Sequence, residues 1–373
     1  MPNDYFHGSR TIEYSDGPRH ITTVESAVVG AVVVSDDADN TVFPLGDVAG
    51  FAGYDPQLIG KAGDTGTLAQ TLEAIYDQGY APLTAVVRVA NSQNQQELVS
   101  NIQAGFQKLL ASQSRFGFTP RIIGAPGLDK KLDVAKDIET AADRLKAFAY
   151  IGIDADDHFE AATYRNNFGS DRMMLIWPDF KDSADTLYAS ARALGLRAKL
   201  DNEIGWHKTL SNVPVMGVSG ISHDVSWDLQ TSDHAAHYLN SKQVTTLIQA
   251  DGFRFWGNRT CAPDSSDFVF ESYRRTADIL GYSFAQAMFS RVDAPMSKGL
   301  VLDIIASINQ KYQQLTNDGY ILGGKCWIKQ EDNLSSAVMN GKLVIKRNYT
   351  PVPPLEDLTQ KQTITDEYVV NLF

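Results

Sequence analysis

Gly63-Asp64-Thr65-Gly66-Thr67 precedes a helix-like segment, where free amides at a helix start can cradle a phosphate. A nucleotide loop of the G-x-x-x-x-G-K-[ST] type needs its lysine after the glycines, and here Lys61 comes before them. A helix entry with Thr67 as cap is the simpler reading. His234 and His237, in Asp233-His234-Ala235-Ala236-His237, lie one helical turn apart. Zinc on a helix usually takes an i, i+4 pair and a further ligand, so a helix surface capped by Ser232 or Asp233 is the alternative. Asp154, Asp156, Asp157 and His158 form an acidic cluster without the glycine and distal glutamate of a calcium loop, which reads instead as a helix start. Gly217-Val218-Ser219-Gly220 does not make a nucleophile elbow. Cys326, followed by Trp327, has no evident base partner. No set of these residues converges on one chemistry, so neither an enzymatic role nor a cofactor is expected.

Those residues are carried on a chain of 373 residues, 43% hydrophobic and 10% aromatic, enough for one large domain or two ordinary ones. A net charge of -12 argues against direct contact with nucleic acid and favours solubility. Two widely separated cysteines, Cys261 and Cys326, fit a reducing compartment better than a disulfide framework. The opening Met1-Pro2-Asn3-Asp4-Tyr5 does not read as a signal peptide, and no run approaches the roughly 20 apolar residues of a membrane span. The expectation is a soluble protein that folds in the cytoplasm, with no membrane partner.

The positioning elements alternate. Val28 to Val34 and Thr84 to Ala90 read as strands, and Leu68 to Tyr76 between them as a helix closed by Gly79, together a βαβ unit. Gln96 to Leu110 and Leu132 to Lys146 read as helices. Arg121 to Gly127, Phe148 to Ile153 and Met173 to Trp177 read as strands, and Ser183 to Leu194 as a helix ended by Gly195. This predicts a mixed α/β (α+β) fold with a mostly parallel layer in the middle. After about residue 250, Phe268 to Phe289 and Ser297 to Thr316 read as two long amphipathic helices. Tyr320 to Lys329 and Leu343 to Tyr349 are strand-like, with a polar helix or loop around Asn333 to Met339 between them. Thr350-Pro351-Val352-Pro353-Pro354 is a stiff extended break. Residues 1–22 are polar, and Thr359 to Phe373 is rich in apolar residues that need a surface to cover.

The stretch Asp251-Gly252-Phe253-Arg254-Phe255-Trp256-Gly257-Asn258-Arg259-Thr260-Cys261 closely resembles the signature of tail sheath proteins from temperate contractile-tailed phages and R-type pyocins. The resemblance continues through Tyr320-Ile321, Cys326-Trp327, Gly341-Lys342-Leu343, Tyr349 to Glu356 and Ile364-Thr365-Asp366-Glu367-Tyr368. Upstream it touches His7-Gly8-Ser9-Arg10, Phe43-Pro44-Leu45 and Gly66-Thr67-Leu68. It implies hexameric rings stacked helically around a tail tube, with baseplate and tail terminator proteins as further partners. It also implies assembly in the host cytoplasm into a virion tail, and contraction that drives the tube through the host envelope.

The same resemblance implies a division into a 1–22 arm, a 23–249 outer α/β domain, a 250–358 inner sheath domain and a 359–373 arm. The inner domain is built with both chain ends. Tyr5, Phe6, Ile12, Ile364, Tyr368, Val370, Leu372 and Phe373 are expected in intersubunit arms that donate strands to neighbours. Lys325, Lys329, Lys342, Lys346 and Arg347 stand out in an acidic chain and are expected to face an acidic tube wall, with solvated or intersubunit charges as the alternative. Two rivals remain: a nucleotide-binding enzyme resting on Gly63–Thr67, and a tube subunit, which would be a smaller, mostly β domain.

Overall fold

A computed structural model describes residues 21–53, 55–183 and 185–372. Val28–Val34 (β1) is buried along its whole length, because it runs through the middle of a sheet covered on both faces. Val32 and Val34 enter one core cluster, while Val29, Ala31 and Val33 enter the other, the two-residue period of a strand.

Around it, in chain order, lie Val48–Phe51 (β2), Pro56–Gly60 (α1), Leu68–Tyr76 (α2), Leu83–Val89 (β3), Gln95–Leu109 (α3) and Ser112–Phe116 (α4). Ile122–Gly124 (β4), Leu132–Leu145 (α5), Phe148–Gly152 (β5), His158–Tyr164 (α6) and Met173–Ile176 (β6) follow. Then come Phe180–Asp182 (β7), Asp185–Leu187 (β8), Ala189–Glu203 (α7), Gly220–Ile221 (β9), Ala235–Ser241 (α8), Val244–Gln249 (β10) and Phe253–Trp256 (β11). The main sheet has the order β11-β10-β6-β5-β4-β1-β3-β2. Its interior pairs are parallel, and only the edge strands β2 and β11 run antiparallel to their neighbours. Helices α3 and α5 cover one face and α2 and α7 the other. The mixed α/β class and its mostly parallel layer are therefore as expected.

One local expectation needs correcting. The segment read as a helix from Ser183 to Leu194 begins instead as the β7–β8 hairpin, which also pairs with β9. The helix, α7, starts only at Ala189, where the Asp179 carboxylate accepts its first amide at 2.8 Å. Gly195 does not end it. It lies at the α2–α7 contact, where an added Cβ would stand 2.6 Å from the Ile75 Cα. Most of α7 is buried, so it lacks the one-sided apolar stripe from which helix bounds are read. The sheet runs on past residue 249, where the sequence suggested a boundary. Asp251 and Gly252, both at positive φ, turn the chain back so that β11 pairs with β10, and the sheet continues to Trp256.

Beyond the sheet stand Glu271–Met288 (α9), Lys298–Asn317 (α10), Ile321–Trp327 (β12), Ser335–Met339 (α11) and Lys346–Pro351 (β13). Ile279, Leu280, Phe284, Ile304, Ile308, Tyr312, Leu315, Ile321 and Cys326 form their own core. Ile21 joins this core, and the Val24 amide donates to Ser283 Oγ at 3.1 Å, so the early chain packs on the late one. Ser297 caps α10 by accepting from the Leu300 amide.

Asp129, in the β4–α5 turn, is fully buried and accepts the Gly152 amide at 3.0 Å. Burial pushes its pKa from 3.8 up to about 7, against the opposing pull of that hydrogen bond. A raised acid favours the folded state most when protonated. Its contribution is therefore full below about pH 4 and is lost as pH rises through 7. Asp129→Asn should raise the melting temperature at pH 8 and change it little at pH 4. An equal effect at both values would refute the assignment.

Candidate functional site

The chemistry candidates from the sequence turn out to be structural. The Asp37 carboxylate fills the Gly63–Thr67 loop, accepting from the Asp64 amide at 3.0 Å, the Thr65 amide at 3.2 Å and the Thr65 hydroxyl at 2.5 Å. The Thr65 hydroxyl first, then the Asp64 amide, hold its pKa down to about 2. A negative side chain thus takes the donors that a phosphate would need. Thr67 stands at the α2 N-cap position, but its Oγ1 accepts from the Val34 amide and fastens β1 instead.

His234, rather than Ser232 or Asp233, caps α8, with Nδ1 accepting from the His237 amide at 3.0 Å. Its ring is thereby committed to the helix end. Asp157 starts α6 by accepting from the amides of Phe159 and Glu160, as a helix-start aspartate should. Ser219 donates to Asp182, bracing the β7 hairpin. Among the described residues no group of three or more His, Cys, Asp or Glu side chains could hold a metal ion. Cys261 and Cys326 are both free and buried, in separate cores.

The surfaces that remain are those for joining other chains. β12 and β13 pair antiparallel, with Lys325 opposite Asn348 and Cys326 opposite Arg347. Among the described residues no third strand joins them. Helix α10 backs this small sheet: Gly324 lies against the Tyr312 ring, where a Cβ would stand 2.6 Å away. At Cys326 the Asn309 side chain accepts the amide at 2.7 Å and donates to the carbonyl at 3.0 Å. It occupies the place of a neighbouring strand there and leaves the edge along Lys346–Pro351 open. An open edge is a template for strand addition.

The five basic residues lie on or beside this sheet. Lys329 pairs with Glu331 at 2.9 Å and Lys346 with Asp332 at 2.7 Å. The Arg347 guanidinium lies 4.8 Å from the Phe284 ring centroid. Lys325 and Lys342 are exposed and carry no ion pair among the described residues. In the expected arm, Ile364 is 97% exposed, and Tyr368, Val370 and Leu372 are exposed with it. Tyr5, Phe6, Ile12 and Phe373 lie outside the described residues.

Sequence reasoning missed the seam that ties the sheet to the helical body. Glu271, the first residue of α9, is fully buried. Its carboxylate receives the Tyr150 hydroxyl, Arg197 at 3.2 Å, the Thr209 hydroxyl at 3.0 Å and the Leu210 amide at 3.3 Å. Arg197 also pairs with Asp201 at 2.7 Å, and Asp201 in turn with Arg275 of α9. Burial works against a charged Arg197, but Asp201 and Glu271 outweigh it and raise its pKa. Burial and then the Glu271 charge push the Tyr150 phenol well above its usual value. Two turns after Glu271, Asp278 takes the Arg172 guanidinium through two bonds of 2.5 and 2.9 Å. The signal was present as Arg197 and Asp201, an opposite-charge pair four residues apart on one helix.

This architecture is that of a structural subunit: a covered sheet joined by buried charge to a helical body with an open strand edge and an unburied apolar tail. Family models described as "Phage tail sheath protein central domain" and "Phage tail sheath C-terminal domain" match residues 103–261 and 264–365. The tail sheath protein of Escherichia phage P2 is 45% identical over 392 residues, covering 99% of this chain and 98% of that protein. The major tail sheath protein of Serratia phage KSP20 is 43% identical over 387 residues, with 99% and 97% covered. The chain belongs to the tail sheath protein family of contractile-tailed phages. In fold it also matches the helical sheath of the anti-feeding prophage in its contracted state, with a TM-score of 0.73, 18% identity, and 95% and 98% of the two chains covered.

Removing the Glu271 carboxylate would leave Arg197 buried with Asp201 alone and strip the Tyr150 and Thr209 hydroxyls and the Leu210 amide of their acceptor. Glu271→Ala should cost about 3–5 kcal/mol in chemical denaturation. Glu271→Gln, which keeps the side-chain shape and one of the two acceptor oxygens without the charge, should lie between it and the parent. A loss below ~1 kcal/mol for the alanine variant would show that the seam bears little of the stability.

Proposed function

We propose that the chain polymerises as stacked hexameric rings around a tail tube and contracts to drive the tube through a host cell envelope. The observation that carries this reading is the coexistence, in one chain, of an open two-stranded edge at β13 and an apolar C-terminal segment with nothing to cover it. Each is what the other lacks, and within a lattice of identical copies both are satisfied. Residues 359–373 donate a strand to the sheet of a neighbour, and residues 1–22 form the second arm. A joint of about 4–6 backbone hydrogen bonds at ~1 kcal/mol net each contributes about 5 kcal/mol.

Such joints hold while the compact bodies rotate and repack, so contraction draws on metastable packing and needs no nucleotide. The main sheet faces outward and the α9–α10 body faces the tube. Baseplate and terminator proteins bound the two ends of the stack. Assembly takes place in the host cytoplasm, and the product is a virion tail. The names of the sheath relatives and the contracted sheath among the fold neighbours support this reading.

Negative-stain electron microscopy of the purified chain, alone and with its tube protein, tests the arms. Striated tubes are expected, and deletion of 359–373 should abolish them. Tubes that survive the deletion move the linkage elsewhere.

Of the five basic residues, Lys325 and Lys342 have neither an ion pair nor a ring contact among the described residues, and they are the ones offered to an acidic tube wall. Lys325→Glu with Lys342→Glu should lower the tube-bound fraction of sheath in co-sedimentation. An unchanged fraction rules out a tube-facing role for them.

A further inference from the structure

We propose that Arg259 is a positioning residue for the C-terminal arm, a clamp on Glu356 that fixes where the arm leaves the subunit. The chain departs from β13 at Pro351 and runs as Val352-Pro353-Pro354-Leu355 away from the helical body and across the edge of the main sheet. There it bounds a cavity of about 430 Å³ together with Trp256, Asn258 and Thr209. The Arg259 guanidinium meets the Glu356 carboxylate with two parallel bonds, Nε to Oε1 and Nη2 to Oε2, both 2.8 Å. That side-on fork geometry is available to arginine and not to lysine.

Arg259 is itself held in place. It pairs with Asp264 at 3.1 Å, lies 5.5 Å from the Phe270 ring centroid, and its backbone bridges Phe270. Past Glu356 every described residue is exposed. Among the described residues, the clamp is therefore the last side-chain tie from the arm to its own subunit.

Two properties follow. The strap crosses from the body that carries the open sheet to the edge of the other layer, so the arm starts from the main sheet and moves with it. The clamp is also partly solvated, with side chains 30% and 40% exposed, so it can open without unfolding a core. Opening it releases residues 352–356 and adds about 17 Å to the reach of the arm. The arm thus has two lengths, a clamped one and a released one, for two spacings of linked subunits. This last step rests on the sheath reading above, whereas the clamp itself does not.

Spin labels at Gln96→Cys, on the rigid α3, and Leu358→Cys, just past the clamp, read the clamp in the isolated subunit, since both native cysteines are buried. A narrow distance distribution is expected at low salt. It should widen roughly two-fold in Arg259→Ala and partly in Arg259→Lys, and it should recover in Arg259→Glu with Glu356→Arg. Distributions unchanged by Arg259→Ala overturn the clamp. Sheaths assembled from the alanine variant should contract at a lower denaturant threshold than the parent, and the charge swap should restore it. If the labels respond but the threshold does not move, the positioning role is overturned. If the parent chain forms no sheath, the sheath reading fails while the label distances still decide the clamp.

Discussion

A carboxylate taken out of water with an arginine beside it constrains the whole molecule. Glu271 begins α9, Arg197 lies mid-way along α7 and Tyr150 projects from β5, so one acid gathers the sheet, a covering helix and the second body. Burying such charge is costly unless every lone pair and proton is met. Here the carboxylate receives a phenol, a guanidinium, a hydroxyl and an amide. The arrangement tolerates little relative motion, because a shift of about an ångström would leave charges unpaired in a dry interior. Asp278 and Arg172 repeat the device along the same helix. The sheet and the helical body are therefore held together as one unit.

The chain ends and the small sheet are complementary deficits. β12 and β13 are too few to stand as a sheet without α10 behind them, and their outer side is backbone in want of a partner. The tail past Glu356 is side chain in want of a surface, with Ile364 and Leu372 almost wholly exposed. A monomer that exposes both is unfinished in a specific way. The Asn309 amide, which closes β12 at Cys326, narrows the positions at which the deficit can be met.

Elements whose burial is one-sided or complete in a strand were legible in the sequence. β1, α2, α3, α5, β5 and β6 fall within a residue or two of their expected ranges, because valine runs and apolar stripes of period 3.6 report directly on the layers they enter. α7 was not legible, because a helix buried on nearly every side has no stripe, and Gly195 looks like a stop when it is a close-approach point. The pairing of β11 with β10 was not legible, since a turn at Asp251 and Gly252 looks the same whether it ends a domain or returns a strand. The basic residues near the carboxyl end were visible as a cluster of types, but two of them are spent on Glu331 and Asp332, which only the fold reveals. The seam escaped because its members, Tyr150, Arg197, Asp201, Glu271 and Arg275, are scattered along the chain and meet only after the layers close.

The two thiols bear on how the protein would fare in oxidising surroundings. Cys261 is wholly buried, and burial pushes its pKa up to about 12, while Cys326 is sealed beneath the small sheet with its pKa raised for the same reason. Oxidation and disulfide exchange both require thiolate within reach of solvent, and neither group offers it. In the contractile lattice proposed above, chance covalent bridges between neighbours would block sliding. A subunit with both cysteines buried offers no thiol for such a bridge, so aerated surroundings would not age the proposed lattice into a locked state.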